Sequence, residues 1–332
     1  MVNSKSIRVI GVGNPIVDLL ARVDESFVES IPGEKGGMVL VSPDEMEGLL
    51  SKLGSAEIEK VPGGSAANTV FAMARLGAEA AMIGKIRRDE AGEFYQQTFR
   101  ELGGDTSRFK FTDETPTARC LSLVTPDSQR TMRTDLGAAA LLEPGEIDKQ
   151  DFESYQHAHL EGYLFFNSPE LFEKALHCAK SAGCTVSVDL GSFEVVKAMG
   201  QDATRLLRDY VDFVFANEEE AEQFCGDGNP QNALRRFAEV CDNVAVKLGA
   251  EGSLLSCGGR QCRVDAQTVD NVLDTTGAGD LWAAGFLYGY LRGSSLEECG
   301  HLGAALGAEV VQCIGPKLPP DSWNKIGNML SP

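Results

Sequence analysis

A regular alternation of short apolar runs with amphipathic segments sets the fold class of this chain of 332 residues. After residue 65 the pattern predicts a helix over 66–76, a strand over 80–83 and a helix over 90–102. Further strands are expected, with helical stretches between them, at 158–160, 185–188, 213–215 and 244–247. Strands that alternate with helices favour parallel βαβ units. The chain is therefore predicted to be an α/β protein with a doubly wound, mostly parallel sheet and helices on both faces.

Two stretches, about 16–62 and 108–134, depart from this alternation because strand-like runs dominate them. A buried strand over 7–12 precedes the first stretch. One helix is expected inside that stretch, where Ser42 and Pro43 form an N-cap followed by a proline in the first turn. We expect antiparallel strands from both stretches to form a small sheet beside the main one. No linker or repeat divides the chain, so a single domain over 1–332 is predicted.

The excess of acidic residues limits the binding partners that the protein can have. The chain has 30 Lys and Arg against 49 Asp and Glu, a formal net charge of −19, which repels nucleic acids and anionic membranes. Local backbone amides and Mg²⁺ can still bind a nucleotide. Nine scattered cysteines and the isolated pair His157 and His159 favour free thiols in a reducing compartment over a zinc site. With a polar N-terminus and no apolar run long enough to span a bilayer, a cytoplasmic protein is expected.

The strongest chemical signal is the segment Asp274-Thr-Thr-Gly-Ala-Gly-Asp280, which an apolar helical run follows. Small residues let the backbone approach a ligand, and the helix N-terminus presents free N–H groups to an anion. Asp280 at this helix start could take a proton from an acceptor hydroxyl during phosphoryl transfer. Taken alone, the segment is equally a glycine-rich turn with an aspartate cap.

Two further segments fit small-molecule binding. The pair Gly63 and Gly64, before an alanine-rich helix, indicates a hinge or a plain helix entry. In Gly-Asn-Pro-Ile-Val-Asp, Asn14 and Asp18 are four residues apart after a strand and could hold adjacent hydroxyls. A dinucleotide fingerprint fails here, because Ile16 stands where the third small residue should be.

The remaining segments are less specific. Asn217 and Glu220 open a helix after an apolar strand, which is also typical of simple capping. Lys247, Gly249 and Gly252 belong to a strand that runs into a glycine-rich turn. No Walker A loop exists in the chain.

In this order, these segments resemble the PfkB, or ribokinase, family of carbohydrate kinases, from Val9 to about Gly315. The resemblance implies a ribokinase-like domain with a small β-rich lid built from about 16–62 and 108–134. It implies that Asp280 is the catalytic base and that the amides of Gly277, Ala278 and Gly279 form an anion hole.

The same resemblance implies the other binding roles. Gly63 and Gly64 would be the hinge of the lid, and the acceptor would be bound by Asn14, Asp18 and Asn68. ATP would contact Asn217, Lys247, Gly249, Gly252 and Thr276, and helical residues from 301 to 312 would line the adenine pocket. Glu220 would help to hold Mg²⁺ through water. Asp274 and Thr276 could belong to a site for a monovalent cation such as K⁺.

The sequence leaves the identity of the phosphoryl acceptor open. The Gly-Asn-Pro-x-x-Asp form and the long segment that follows it resemble the adenosine-kinase branch, so adenosine or another nucleoside is expected first. Ribose, fructose, a ketodeoxy sugar acid or a sugar phosphate are the alternatives within the kinases. A non-catalytic sensor on the same fold and an NAD-dependent enzyme are the other classes, and the protein could be a monomer or a homodimer.

Four side chains have two interpretations each. Arg130 and Arg133 are either solvated surface or lid contacts to phosphate or substrate. Phe165 and Phe166 are expected in the core rather than as a stacking wall for a base.

Overall fold

The computed structural model describes residues 6–127 and 129–330, so the ends of the predicted domain, 1–5 and 331–332, lie outside the described residues. The strands are β1 Arg8–Val12, β2 Ile16–Arg22, β3 Met38–Leu40, β4 Ile58–Gly63, β5 Glu79–Ile83, β6 Lys85–Ile86, β7 Lys110–Phe111, β8 Ala118–Val124, β9 Arg130–Asp135, β10 His157–Glu161, β11 Thr185–Asp189, β12 Phe213–Ala216, β13 Asn243–Lys247, β14 Ser253–Cys257 and β15 Arg260–Val264. The helices are α1 Glu25–Glu29, α2 Pro43–Leu53, α3 Ser65–Arg75, α4 Glu90–Glu101, α5 Leu164–Asn167, α6 Pro169–Ser181, α7 Phe193–Met199, α8 Gln201–Tyr210, α9 Glu218–Cys225, α10 Pro230–Ala238, α11 Ala278–Arg292, α12 Leu296–Val310 and α13 Pro320–Leu330.

The main sheet has eight strands in the order β15-β14-β13-β12-β11-β10-β1-β5. Strands β5, β1, β10, β11, β12 and β13 are mutually parallel, which confirms the predicted doubly wound, mostly parallel sheet. The direction of strand succession reverses between β1 and β10. Ligands of such sheets bind in the crevice at the carboxyl ends of the strands, beside this reversal.

The antiparallel hairpin β14–β15 closes one edge of the main sheet and is not predicted by the alternation of strands and helices. Its turn consists of Gly258 and Gly259, both with positive φ. Paired glycines between two strands are typical of two-residue hairpin turns.

Helices cover both faces of the main sheet and bury its central strands except at their ends. Along β1, Val9 belongs to a core shared with α3, α11 and α12, whereas Ile10 belongs to a second core shared with α6, α8 and α10. Strands buried on both faces need continuous apolar runs, which explains why the sequence shows runs rather than alternation here. None of the helices in 6–127 and 129–330 is long and apolar enough to cross a bilayer.

A second sheet of five strands, in the order β3-β9-β8-β2-β4, joins the two strand-rich stretches. The prediction that both stretches share one small sheet is confirmed, but the strands that join them, β2 with β8 and β3 with β9, are parallel. The antiparallel pairs lie within each stretch. Strand β7 pairs with β6 in a separate two-stranded sheet, so residues 110–111 do not belong to the five-stranded sheet.

Helix α2 begins where the sequence predicts it. The Ser42 hydroxyl accepts a hydrogen bond from Glu45 N, and the Glu45 carboxylate accepts one from Ser42 N, while Pro43 occupies the first turn. This reciprocal cap satisfies two backbone donors that a helix start otherwise leaves free.

Candidate active site

Asp280 lies in the first turn of α11, and helix α3 holds its carboxylate. Asp280 Oδ1 accepts a hydrogen bond from Ser65 Oγ at 2.7 Å, and Oδ2 accepts one from Asn68 Nδ2 at 2.8 Å. Burial and the charge of Asp189 raise the pKa of Asp280 to about 6, and the two hydrogen bonds act against this rise. The carboxylate is therefore oriented and largely ionised at neutral pH, as a general base must be.

The backbone before Asp280 offers donors to an anion. Gly277 has a φ of 74°, which turns the chain into the helix start. Among the described residues, the N–H groups of Gly277, Gly279 and Asp280 have no protein acceptor, whereas Ala278 N donates to Thr275 O at 3.1 Å. The predicted set of amides is thus corrected at Ala278, whose donor is engaged in a turn.

Lys247 extends from the end of β13 to the same point. Its Nζ lies 2.6 Å from Asp189 Oδ2 and 2.9 Å from the position that a Gly279 Cβ would occupy. Burial alone would lower the pKa of Lys247, but the charges of Asp189 and Glu220 raise it overall. A side chain at position 279 would displace this ammonium group, so the glycine lets Lys247 lie against the start of α11.

Asn217 and Glu220 form a reciprocal cap at the start of α9. Asn217 N and Nδ2 donate to the Glu220 carboxylate at 2.9 and 2.8 Å, and Glu220 N donates to Asn217 Oδ1 at 2.9 Å. Burial and the nearby Asp189 carboxylate raise the pKa of Glu220 to about 7. Capping and a place in the site are therefore compatible, since both residues also line the cavity beside Asp280.

A cavity of about 1030 Å³ connects these groups. It contains the predicted nucleotide residues Asn217, Lys247, Gly249 and Gly252, and α12 lines it as expected, through Ala304, Gly307 and Ala308. Thr276 is not among the lining residues. The residues that the sequence analysis does not find include Tyr163, Asp189, Gly191, Trp282 and the loop residues 266–269.

Close contacts surround Gly63 and Gly64, the two glycines that the sequence predicts as a hinge. A Cβ on Gly63 would lie 2.5 Å from Asp18 Oδ2. Gly64 has a φ of 97°, and a Cβ there would lie 2.1 Å from Asn14 O. No other residue type fits between β4 and α3 without moving these neighbours.

Glu161 is a buried carboxylate that the sequence analysis does not identify. It accepts hydrogen bonds from Asn14 N at 2.9 Å, from Asn14 Nδ2 at 2.7 Å and from Ala66 N at 2.9 Å. Asn14 Oδ1 in turn accepts a hydrogen bond from Asn167 Nδ2 at 2.6 Å. Both ends of the Asn14 amide thus have one partner within the protein, which orients the side chain. One N–H and one oxygen lone pair remain, so its contact with the acceptor stays a prediction.

Asp18 is the carboxylate that stays available on this side. It is 8% exposed, and among the described residues no donor hydrogen-bonds to its side chain. Burial raises its pKa to about 7, although the guanidinium of Arg130 partly opposes this effect. A carboxylate with free lone pairs can accept hydrogen bonds from hydroxyl groups.

Arg130 connects the five-stranded sheet to the segment before α11. Its Nη1 lies 2.6 Å from Asp274 Oδ2 and 2.5 Å from Thr276 Oγ1, and its Nη2 donates to Ser122 Oγ at 2.6 Å. The sequence left open a monovalent-cation site at Asp274 and Thr276. In the structure, the positively charged guanidinium of Arg130 lies beside both side chains. Thr276 faces Arg130 and not the nucleotide cavity, which corrects its predicted contact with ATP.

Two other expectations are wrong. Arg133 is 1% exposed and donates to the carbonyl oxygens of Pro32 and Met132, so it contacts neither phosphate nor substrate. Phe165 is buried in the core as predicted, but Phe166 is 51% exposed.

Comparisons with known proteins give consistent results. A family model described as pfkB family carbohydrate kinase matches residues 50–323. An uncharacterized sugar kinase of Archaeoglobus fulgidus is 31% identical over 245 residues, which cover 74% of this chain and 96% of that protein. The 2-dehydro-3-deoxygluconokinase of Bacillus subtilis is 29% identical over 281 residues, covering 81% and 86%. The crystal structure of adenosine kinase from Sinorhizobium meliloti matches with a TM-score of 0.86 and 36% identity, covering 98% and 100%.

Proposed function

Because the chain belongs to the pfkB family of carbohydrate kinases and has a ribokinase-like α/β fold, we propose that it phosphorylates a nucleoside, adenosine first. The terminal phosphoryl group of ATP would pass to the hydroxymethyl group of the acceptor. The single observation that carries the choice of a nucleoside is a pair of exposed apolar side chains, Met38 and Leu40, on the sheet face that bears Asp18.

The proposed chemistry uses Asp280 as the general base. The acceptor hydroxyl gives its proton to the Asp280 carboxylate while its oxygen bonds to the terminal phosphorus, and the bond from that phosphorus to ADP breaks. With a pKa of about 6, Asp280 is ionised at neutral pH but still basic enough to assist. The free N–H groups of Gly277 and Gly279 would donate hydrogen bonds to the transferring phosphoryl oxygens.

The cavity suits Mg²⁺ as the partner of ATP. Glu220 and Asp189 both line it, and carboxylate oxygens are ligands that Mg²⁺ prefers, directly or through water. The ion would neutralise charge on the phosphates. Lys247 and the backbone near Gly249 and Gly252 would bind the phosphate chain, while α12 would contact the adenine ring.

The acceptor assignment comes from the five-stranded sheet. Strand register puts Asp18 and Leu40 in one cross-strand row, and Met132 and Met38 in the next row of the same face. Leu40 and Met38 are 59% and 54% exposed on this face. Leu40 lies three strands from Asp18, with Cys120 and Thr134 between them. A carboxylate and exposed apolar side chains at two ends of one sheet face suit a molecule with a sugar at one end and an apolar, planar base at the other.

A sugar acid is the main alternative, supported by the similarity to the Bacillus subtilis 2-dehydro-3-deoxygluconokinase. Its carboxylate needs a cation near Asp18. Arg130 is the cation whose charge acts on Asp18, but Asp274 already neutralises it at 2.6 Å. The charges around Asp18 therefore favour a neutral acceptor.

We further propose that the five-stranded sheet, built from about 16–62 and 108–134, is a lid that closes over the acceptor. Gly63 and Gly64 connect it to α3, and Arg130 would clasp it to Asp274 when closed. Closure would exclude water, which competes with the acceptor for the phosphoryl group.

The test is consumption of Mg·ATP with a panel of acceptors: adenosine, other nucleosides, ribose, fructose, 2-keto-3-deoxygluconate and fructose 6-phosphate. Turnover with adenosine supports the proposal, and Asp280→Asn should then lower kcat by at least about a hundredfold. Turnover only with a sugar or sugar acid would refute the nucleoside assignment but not the base. ATP binding without turnover of any acceptor would favour a sensor.

A further inference from the structure

The charge balance of the nucleotide cavity opposes metal-free ATP. Among the described residues that line it, Lys247 is the sole cation, whereas the acidic side chains include Asp189, Glu220 and Asp280. The crowding of negative charge is visible in the raised pKa values of Glu220 and Asp280, to which burial contributes most and the charge of Asp189 contributes next. A polyphosphate that enters without a counter-ion meets repulsion in a site screened little by solvent.

The one cation is already neutralised. Lys247 Nζ lies 2.6 Å from Asp189 Oδ2, with the two side chains 13% and 5% exposed. Asp189 is fixed from its other side, because its Oδ1 accepts a hydrogen bond from Gly191 N at 3.2 Å. The ion pair also lies directly beside Gly279, whose free N–H belongs to the predicted phosphate cradle.

We propose that Asp189 makes nucleotide binding dependent on a divalent cation, by keeping Lys247 neutralised until a metal–nucleotide complex enters. The carboxylates of Asp189 and Glu220 would then face the cation of the complex, directly or through water, and Lys247 would be free to bind phosphate oxygens. This inference rests on the proposed binding of ATP in the cavity. It assigns to Asp189 a role in selecting the metal complex over the free nucleotide.

The metal enters with the phosphates rather than before them. Within residues 6–127 and 129–330, no group of three or more His, Cys, Asp or Glu side chains could hold a metal ion. Asp189 and Glu220 alone leave most of the six positions around Mg²⁺ to water and phosphate. Titration of the protein with MgCl₂ alone should therefore give no saturable binding at the concentrations that support ATP binding.

The experiment measures ATP affinity by calorimetry, without acceptor, in excess MgCl₂ and in excess EDTA. We expect the wild type to bind ATP at least about tenfold more tightly with Mg²⁺, a modest share of what one unit charge at roughly 4 Å contributes near a protein surface. In Asp189→Asn, Lys247 is no longer neutralised, so metal-free ATP should bind about tenfold more tightly than to the wild type. The Mg²⁺ dependence should then shrink to about threefold or less.

The matched control is Asp212→Asn. Asp212 is also paired with a lysine, Lys180, at 2.8 Å, but it lies at the amino end of β12, away from the cavity. This variant should keep the full Mg²⁺ dependence. If Asp189→Asn does not fold, as judged by circular dichroism, Asp189→Ser provides the same loss of charge.

The outcomes are distinct. Equal ATP affinity of the wild type with Mg²⁺ and with EDTA overturns the inference and leaves the kinase proposal intact. A wild-type dependence that persists in the Asp189 variant overturns the role of Asp189. No binding of ATP under either condition removes the proposed function and the inference together.

Discussion

Removal of the Asn68 side chain should move the pH at which the enzyme loses activity. Asn68 Nδ2 donates to Asp280 Oδ2 at 2.8 Å, and this bond lowers the pKa of Asp280 from the value that burial would give. A hydrogen bond to a charged group contributes about 1.5–3 kcal/mol, and one pKa unit corresponds to about 1.4 kcal/mol. Because Asp280 faces an open cavity, water would replace part of the bond, so Asn68→Ala should raise its pKa by about one unit.

The assay is kcat against pH at saturating Mg·ATP and acceptor. A base must be ionised to act, so activity is lost as the pH falls through the pKa of Asp280, near 6 in the wild type. A rise of about one unit would lower kcat of Asn68→Ala about threefold at pH 6.5 and very little at pH 8.5.

The matched control is Asn232→Ala, which removes a similar bond of 3.2 Å to the exposed Asp227 and should leave the profile unchanged. A uniform loss of kcat in Asn68→Ala at every pH would contradict the argument. It would mean that Asn68 positions the acceptor without tuning the base.

Three other predictions address the acceptor side. Asp18→Ala should raise KM for the acceptor by roughly ten- to hundredfold, the value of one or two hydrogen bonds to a carboxylate, and should leave KM for ATP unchanged. Gly64→Ala should lower the unfolding temperature more than Gly54→Ala does. Both glycines have positive φ, but only a Cβ at position 64 would meet a neighbour, Asn14 O at 2.1 Å. Equal losses in the two variants would show that backbone strain of about 1–2 kcal/mol acts alone. Burial raises the pKa of Glu161 from 4.5 to about 7, so its contribution to stability is fully present below about pH 4.5 and is lost as the pH rises to about 7. Urea unfolding between about pH 5 and 7 should therefore show a smaller fall in stability in Glu161→Gln, by up to about 1.4 kcal/mol per pH unit.

Local sequence signals were enough to predict the main sheet and those site residues that belong to contiguous segments. Asp280 and its glycines follow one another in the chain and precede a helix, so their proximity needs no tertiary information. The same holds for Asn217 and Glu220, whose spacing matches the first turn of a helix. Gly63 and Gly64 were found as a pair, although the contacts that require them appear only in three dimensions.

Residues that converge from separate strands were missed. Glu161 and Asp189 each end a buried strand, β10 and β11, and a charged residue in that position is a signal that the sequence offered. The error at Arg133 was also avoidable, because residues 130 and 133 on one strand point to opposite faces. Only Arg130 can therefore face the site. The involvement of both ends of the Asn14 amide could not be read locally, since its partners are about 150 residues away.

The parallel pairing of β2 with β8 has a consequence for the order of folding. Paired residues such as Asp18 and Cys120 are separated by about a hundred positions, and β5, α3 and α4 lie between them in the chain. Closing so long a loop is entropically costly until the intervening segment has docked on the main sheet. The five-stranded sheet should therefore form after the core. In native-state hydrogen exchange its amides should open at lower free energy than those of β1 and β10, so that the sheet proposed to cover the acceptor is also the part of the protein that opens first.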